Sequence, residues 1–194
     1  MKPETDLVPT PSQTVGPFFA IELTTVEHCF KCVAGPQAQG ERAWITFRVL
    51  DGDGVPVDDA MLEIWQADSN GKYNHPDDVQ TKKLDPGWMG FGRIATGEDG
   101  NCGLETIRPG GVAQSAPTQA PHLTVAVFAR GMPKQLYTRV YFAGDAANDE
   151  DPILQLVSSE RRETLMARPD PARPGDWSFD IRLQGDKETV FFDV

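Results

Sequence analysis

Trp44-Ile45-Thr46-Phe47-Arg48-Val49-Leu50, closed by Asp51-Gly52-Asp53-Gly54 and followed by Met61-Leu62-Glu63-Ile64-Trp65-Gln66, decides the fold. Two runs rich in β-branched and aromatic residues flank a turn signal, which reads as strand, turn, strand. Further strands are expected at 91–96, 121–129, 138–142, 177–183 and 189–193. The one convincing helical piece is Asp151-Pro152-Ile153-Leu154-Gln155-Leu156-Val157, with aspartate at the N-cap and proline at the first helical position. Many short strands separated by Gly/Pro turns predict an all-β fold. The expected architecture is a β-sandwich of mixed strands with an N-terminal arm and one or two short helices. No internal repeat is present.

Residues 1–40 read as an arm and 41–194 as the sandwich domain. Pro3, Pro9, Pro11 and Pro17 punctuate the first part, and Ala34-Gly35-Pro36-Gln37-Ala38-Gln39-Gly40 closes it with turn chemistry. The chain has 194 residues, enough for one well-buried domain with an arm. Its net charge of −11 argues against nucleic acid or an anionic membrane surface as partner. No apolar run is long enough to span a bilayer, and the first residues lack the apolar core of a secretory signal. Three cysteines are too few for a disulfide framework, so a cytoplasmic protein is expected.

Most motif candidates have an ordinary reading. Asp51-Gly52-Asp53-Gly54 begins like a calcium loop but lacks the later acidic positions, so a hairpin turn is expected. Cys29-Phe30-Lys31-Cys32 has CxxC spacing beside His28. With Cys102 as the one obvious further thiol, it reads as two thiols in a surface arm. Gly87-Trp88-Met89-Gly90-Phe91-Gly92 has its glycines in the wrong order for a dinucleotide loop, and no phosphate loop or nucleophile elbow is found.

The chemistry concentrates in Ala120-Pro121-His122-Leu123-Thr124-Val125-Ala126-Val127-Phe128-Ala129-Arg130. In a strand, residues two apart share a face, so His122 and Thr124 point the same way. A second histidine at 124 would make a two-imidazole clamp; threonine cannot. His122 is therefore either a hydrogen-bonded core residue or one remnant of a metal site, with Tyr73 as its best partner. Arg130, if the strand is unbroken, shares that face but lies about 26 Å further along. It either ends the strand in solvent or binds a carboxylate at a different site.

Several blocks strongly resemble the intradiol ring-cleaving dioxygenases. They are TPSQTVGPFF (10–19), LEIWQADSNGKYNH (62–75), TIRPGG (106–111), APHLTVAVFARG (120–131), RRETLMAR (161–168) and ETVFFDV (188–194). In that family the iron-bearing chain uses two tyrosines and two histidines. By resemblance Tyr73 and His122 match the first of each pair, while Thr124 and, less securely aligned, Val112 stand at the second. Ferric iron needs hard, anionic donors, so the resemblance implies vestigial positions here and no metal held by this chain.

The resemblance further implies a division of labour in a higher-order αβ oligomer. A homologous iron-bearing β subunit would hold non-haem Fe(III). That ion would act as a Lewis acid on the substrate, protocatechuate (3,4-dihydroxybenzoate). O2 would then cleave the ring to 3-carboxy-cis,cis-muconate, a step of aromatic catabolism by the β-ketoadipate route. This chain, with no catalytic residue of its own, would contribute Thr14, Gly16 and Pro17 as a wall of the pocket at the α/β interface. Glycine and proline let backbone approach a flat ring closely. Arg130 would supply positive charge to the substrate carboxylate, worth about 1.5–3 kcal/mol when dry and well paired. The rival expectation is a non-enzymatic β-sandwich scaffold or small-molecule-binding subunit. A third, an iron enzyme with unusual ligands such as Glu63, Asp68 and His75, has no spacing that selects it.

Overall fold

Strand β1 (Arg42–Leu50) alternates buried and outward residues, placing Ala43, Ile45, Phe47 and Val49 on one side. That period-2 pattern is what a sheet with one face on a core demands. The structure, a computed structural model, describes residues 10–25, 30–113 and 117–193. The other strands are β2 (Met61–Gln66), β3 (Phe91–Ala95), β4 (Asn101–Ile107), β5 (His122–Phe128), β6 (Leu136–Phe142), β7 (Met166–Pro169) and β8 (Asp176–Arg182). They run in the order β3-β2-β5-β6-β7-β8-β1-β4. Pairings are antiparallel except β1 with β8 and the short β6–β7 junction of two residue pairs. That junction joins two halves whose inner faces meet in one core, with Leu62, Ile64, Leu123, Val125 and Val127 from one half and Ile45, Phe47, Leu104, Phe179 and Ile181 from the other.

The two outer strands, β3 and β4, are joined by a segment expected to lie in the arm. Phe30 bridges Arg93 of β3, Cys32 bridges Glu105 of β4, and Ala34 bridges Trp88. Val33 and Ala34 are fully buried in the main core. Residues 30–34 are thus bridged to the sheet, and they cover edges that would otherwise present unpaired backbone groups. Cys32 is exposed with its thiol directed at the Ala34 carbonyl, and Cys102 is buried on β4. His28 and Cys29 lie outside the described residues.

Several local expectations are corrected. Strands β4 and β7 were not anticipated. The run 189–193 forms a single bridge, Tyr137 with Phe192, instead of a strand. Asp151 does cap the following residues, accepting from the backbone N–H of Ile153 and Leu154, but they form a 3-10 turn at Leu154–Leu156 in place of an α-helix. Similar short turns occupy Ala146–Glu150 and Arg162–Leu165, and a π-helical turn Phe19–Leu23, so the short helical pieces number four among the described residues. The Asp51–Gly54 turn folds the chain back on β1 through a Leu50–Pro56 bridge. Its Asp51 carboxylate accepts from the Asp53 and Val55 N–H groups, and Gly54 takes a φ of +79°. β1 and β2 do not pair with each other; they belong to opposite halves.

Candidate functional site

Two ends of β5 carry the candidate residues, and they do different things. At its start, the Asp151 carboxylate accepts from the Ala120 N–H at 2.7 Å and from the Tyr141 hydroxyl at 3.0 Å. This fixes the entry into β5 and hence His122, which is 1% exposed. His122 Nδ1 lies 2.7 Å from the Ala120 carbonyl and Nε2 lies 3.3 Å from the Tyr73 hydroxyl. A carbonyl can only accept, so Nδ1 carries the proton and Nε2 is left as acceptor. Burial, then the positive charge of Arg139, bring the His122 pKa down to about 4, against the Ala120 hydrogen bond and Asp151. The ring is neutral.

Tyr73 is positioned by its own loop. The buried Asp78 carboxylate accepts from the Tyr73 N–H at 2.7 Å, from Gln80, and from the Lys72 ammonium at 3.2 Å. Burial alone pushes the Asp78 carboxyl up; these donors outweigh it and hold the group below its usual value. Burial raises the Tyr73 phenol, with Arg139 pulling the other way. The loop is pressed against the RPGG segment. Gly71, at φ +78°, leaves no room for a Cβ beside the Gly111 carbonyl, and Gly110 sits on the backbone of Ser69 and Gly71. Two motifs distant in sequence therefore touch, and Val112 follows directly, 2% exposed and bridged to Gln119.

Thr124 lies two residues on from His122 on the same face, with Arg139 directly opposite on β6. Arg139 Nη1 donates to Gln119 Oε1 at 2.8 Å and lies 3.5 Å from the Tyr141 hydroxyl. Tyr141 is fully buried, and burial raises its phenol well above the ordinary value. Arg139, Gln119 and Tyr141 were not singled out from sequence, and Asp151 was read only as a helix N-cap. An arginine inside the apolar strand Thr138-Arg139-Val140-Tyr141 was the available signal.

The other end of β5 collects the arm. The strand ends at Phe128, so Arg130 stands in a turn beyond it and the face-sharing argument does not reach it. The Thr14 hydroxyl accepts from the Gly131 N–H at 2.8 Å, and Phe19 packs on Phe128 with ring centroids 6.0 Å apart. Thr14, Gly16 and Pro17 are exposed, and a Cβ at Gly16 would meet only open space. The Arg130 side chain is 77% exposed, ion-paired with Asp59 and 3.6 Å from Asp58. A separate cleft of about 810 Å³ on the β1–β8 side contains none of these residues. Several of its charges are paired within it, as in Arg48 with Asp180 and Arg168 with Glu163.

A family model described as "Dioxygenase" matches residues 15–185. The protocatechuate 3,4-dioxygenase alpha chain of Burkholderia cepacia is 44% identical, the match covering 98% of this chain and 100% of that one. The chain belongs to the intradiol dioxygenase family. The beta chain of the same enzyme from Burkholderia cepacia is 35% identical over 75% of this chain and 66% of its own length. Among solved structures, the dioxygenase domain of a carbohydrate-binding fusion from Streptomyces sp. SirexAA-E is 26% identical. It superposes with a TM-score of 0.61 over 92% of this chain and 99% of that one.

Intradiol dioxygenases are non-haem iron enzymes, and the residues around His122 do not fit that ion. Tyr73 and His122 supply two donor atoms; Thr124 and Val112 add a neutral hydroxyl and an alkyl group, while Arg139 adds a positive charge opposite Thr124. Among the described residues, no three His, Cys, Asp or Glu side chains gather as a metal-holding group. Nor is any helix among them long and apolar enough to cross a membrane.

Proposed function

We propose that this chain is the iron-free α subunit of a protocatechuate 3,4-dioxygenase, working in the cytoplasm in a higher-order αβ oligomer. A homologous β subunit holds the non-haem Fe(III). The assembled enzyme uses O2 for intradiol cleavage of protocatechuate to 3-carboxy-cis,cis-muconate. In this reading the chain completes the substrate pocket from its arm side. Thr14, Gly16 and Pro17 form a wall, and Arg130 receives the substrate carboxylate.

The observation that carries the reading is the gathering of all four residues at one end of β5. Thr14 is tied to Gly131 beside Arg130, and the wall residues stay exposed. A surface left open above Gly16, in a chain similar along its whole length to an α chain, supports a partner closing over it. The rival reading as a scaffold gives no reason for an arginine to sit beside an anchored Gly-Pro wall.

The test is Arg130→Ala in the assembled enzyme. Loss of the guanidinium is expected to raise KM for protocatechuate at least about tenfold while lowering kcat much less, because the group binds ground state and transition state alike. An unchanged KM would show that Arg130 merely ends the turn.

A further inference from the structure

Arg139 places a full positive charge among the residues at the vestigial positions, with the Asp151 carboxylate bonded to the same Tyr141 hydroxyl that Arg139 approaches. It stands across the sheet from Thr124, where cross-strand neighbours have Cβ atoms about 4.5–5.5 Å apart. Its guanidinium is held from two sides, by Gln119 Oε1 at 2.8 Å and the Tyr141 hydroxyl at 3.5 Å. Gln119 is in turn bridged to Val112, and Tyr141 pairs across the sheet with His122. Arg139 therefore touches, directly or through one residue, the positions of Val112, His122 and Thr124. It acts electrostatically on Tyr73, His122 and Tyr141 together, favouring phenolate and neutral imidazole. A metal ion at the same place would act with the same sign.

We propose that Arg139 is the resident cation of this centre, occupying by charge the place a ferric ion would take and excluding it. The inference rests on the iron-free reading above and goes further: missing ligands alone do not keep the site empty. Restoring them leaves a fixed positive charge beside an incoming trivalent ion, in a buried setting where Coulomb forces are weakly screened. Arginine suits the task because it cannot shed its proton to admit a metal.

The test compares full-length variants loaded with iron salts, with bound iron counted by plasma mass spectrometry and folding checked by circular dichroism. Val112→Tyr with Thr124→His rebuilds the donor set while keeping Arg139. Adding Arg139→Gln, or Arg139→Met as a second neutral choice, is expected to tighten iron binding by about a hundredfold or more over that double variant and to bring a visible tyrosinate-to-iron band.

The proposal is overturned if the double variant binds as tightly as the neutral triples, or if none binds. As an independent check, Arg139→Gln in the otherwise native chain should strengthen weak Zn2+ binding by Tyr73 and His122 about tenfold by calorimetry. Unchanged affinity overturns the proposal too. Stoichiometric iron in the unmodified chain is a different result: it removes the iron-free reading itself.

Discussion

At the scale of single residues, two groups make measurable statements. His122 takes a proton near pH 6.5 when unfolded and only near pH 4 in the fold, because burial disfavours the imidazolium. Between those values the unfolded chain binds the extra proton. Stability is therefore lost as pH falls from about 6.5 to about 4 and then levels, a change of about 3 kcal/mol from this group. Asp78 acts in the same direction, but in a lower window, since its carboxyl is held below the usual value. Urea unfolding from pH 4 to 7 should show a steeper decline for the native chain than for His122→Gln; parallel curves would contradict the assignment. Asp59 is the second case, because it holds the guanidinium proposed for the substrate carboxylate. An exposed pair of this kind contributes at most about 1 kcal/mol. Asp59→Asn in the assembled enzyme should then lower KM for protocatechuate by about two- to fivefold with kcat unchanged. A raised KM would mean that Asp59 positions Arg130 and does not compete for it.

At the scale of elements, the contact between the loop at 69–71 and the segment at 110–111 holds the Tyr73 side of the centre together. Gly71→Ala introduces a Cβ against the Gly111 carbonyl at a left-handed backbone position. It should cost about 1–3 kcal/mol or more in denaturant unfolding. Gly16→Ala, facing open space, should leave the folding of the isolated chain unchanged. Equal effects would place the strain elsewhere. This contact also shows what the sequence could convey. Tyr73 and His122 were legible as partners because each sits in a distinctive block, and the turn glycines marked their loops. Arg139 was not legible, since its importance comes from cross-strand register with Thr124, which only folding supplies. β4 escaped notice because Asn101 and Gly103 are poor strand formers; Gly103 is there because the Trp44 indole covers it. The opposite error arose at 189–193, where a β-rich composition found no full partner strand. Its backbone is engaged instead by Arg182, Thr138 and Tyr137.

At the scale of the whole molecule, the many short β-rich runs separated by Gly/Pro turns were enough to anticipate a sandwich of short strands. How its open sides are covered was not, because residues 30–34 carry no strong strand signal and act through three isolated bridges. The same fold divides β5 into two unequal ends. One keeps two donors and an arginine around His122, and the other gathers an exposed wall beside Arg130. The account of this molecule as a subunit that shapes a pocket and leaves the metal to its neighbour is tested most directly by iron counting. The chain is to be purified alone and co-expressed with a homologous β chain, with iron content and visible absorption measured on both. The account predicts a colourless, iron-poor solitary chain and a coloured complex whose iron tracks the β chain in number. One ferric ion per solitary chain, with tyrosinate charge-transfer colour, would contradict it.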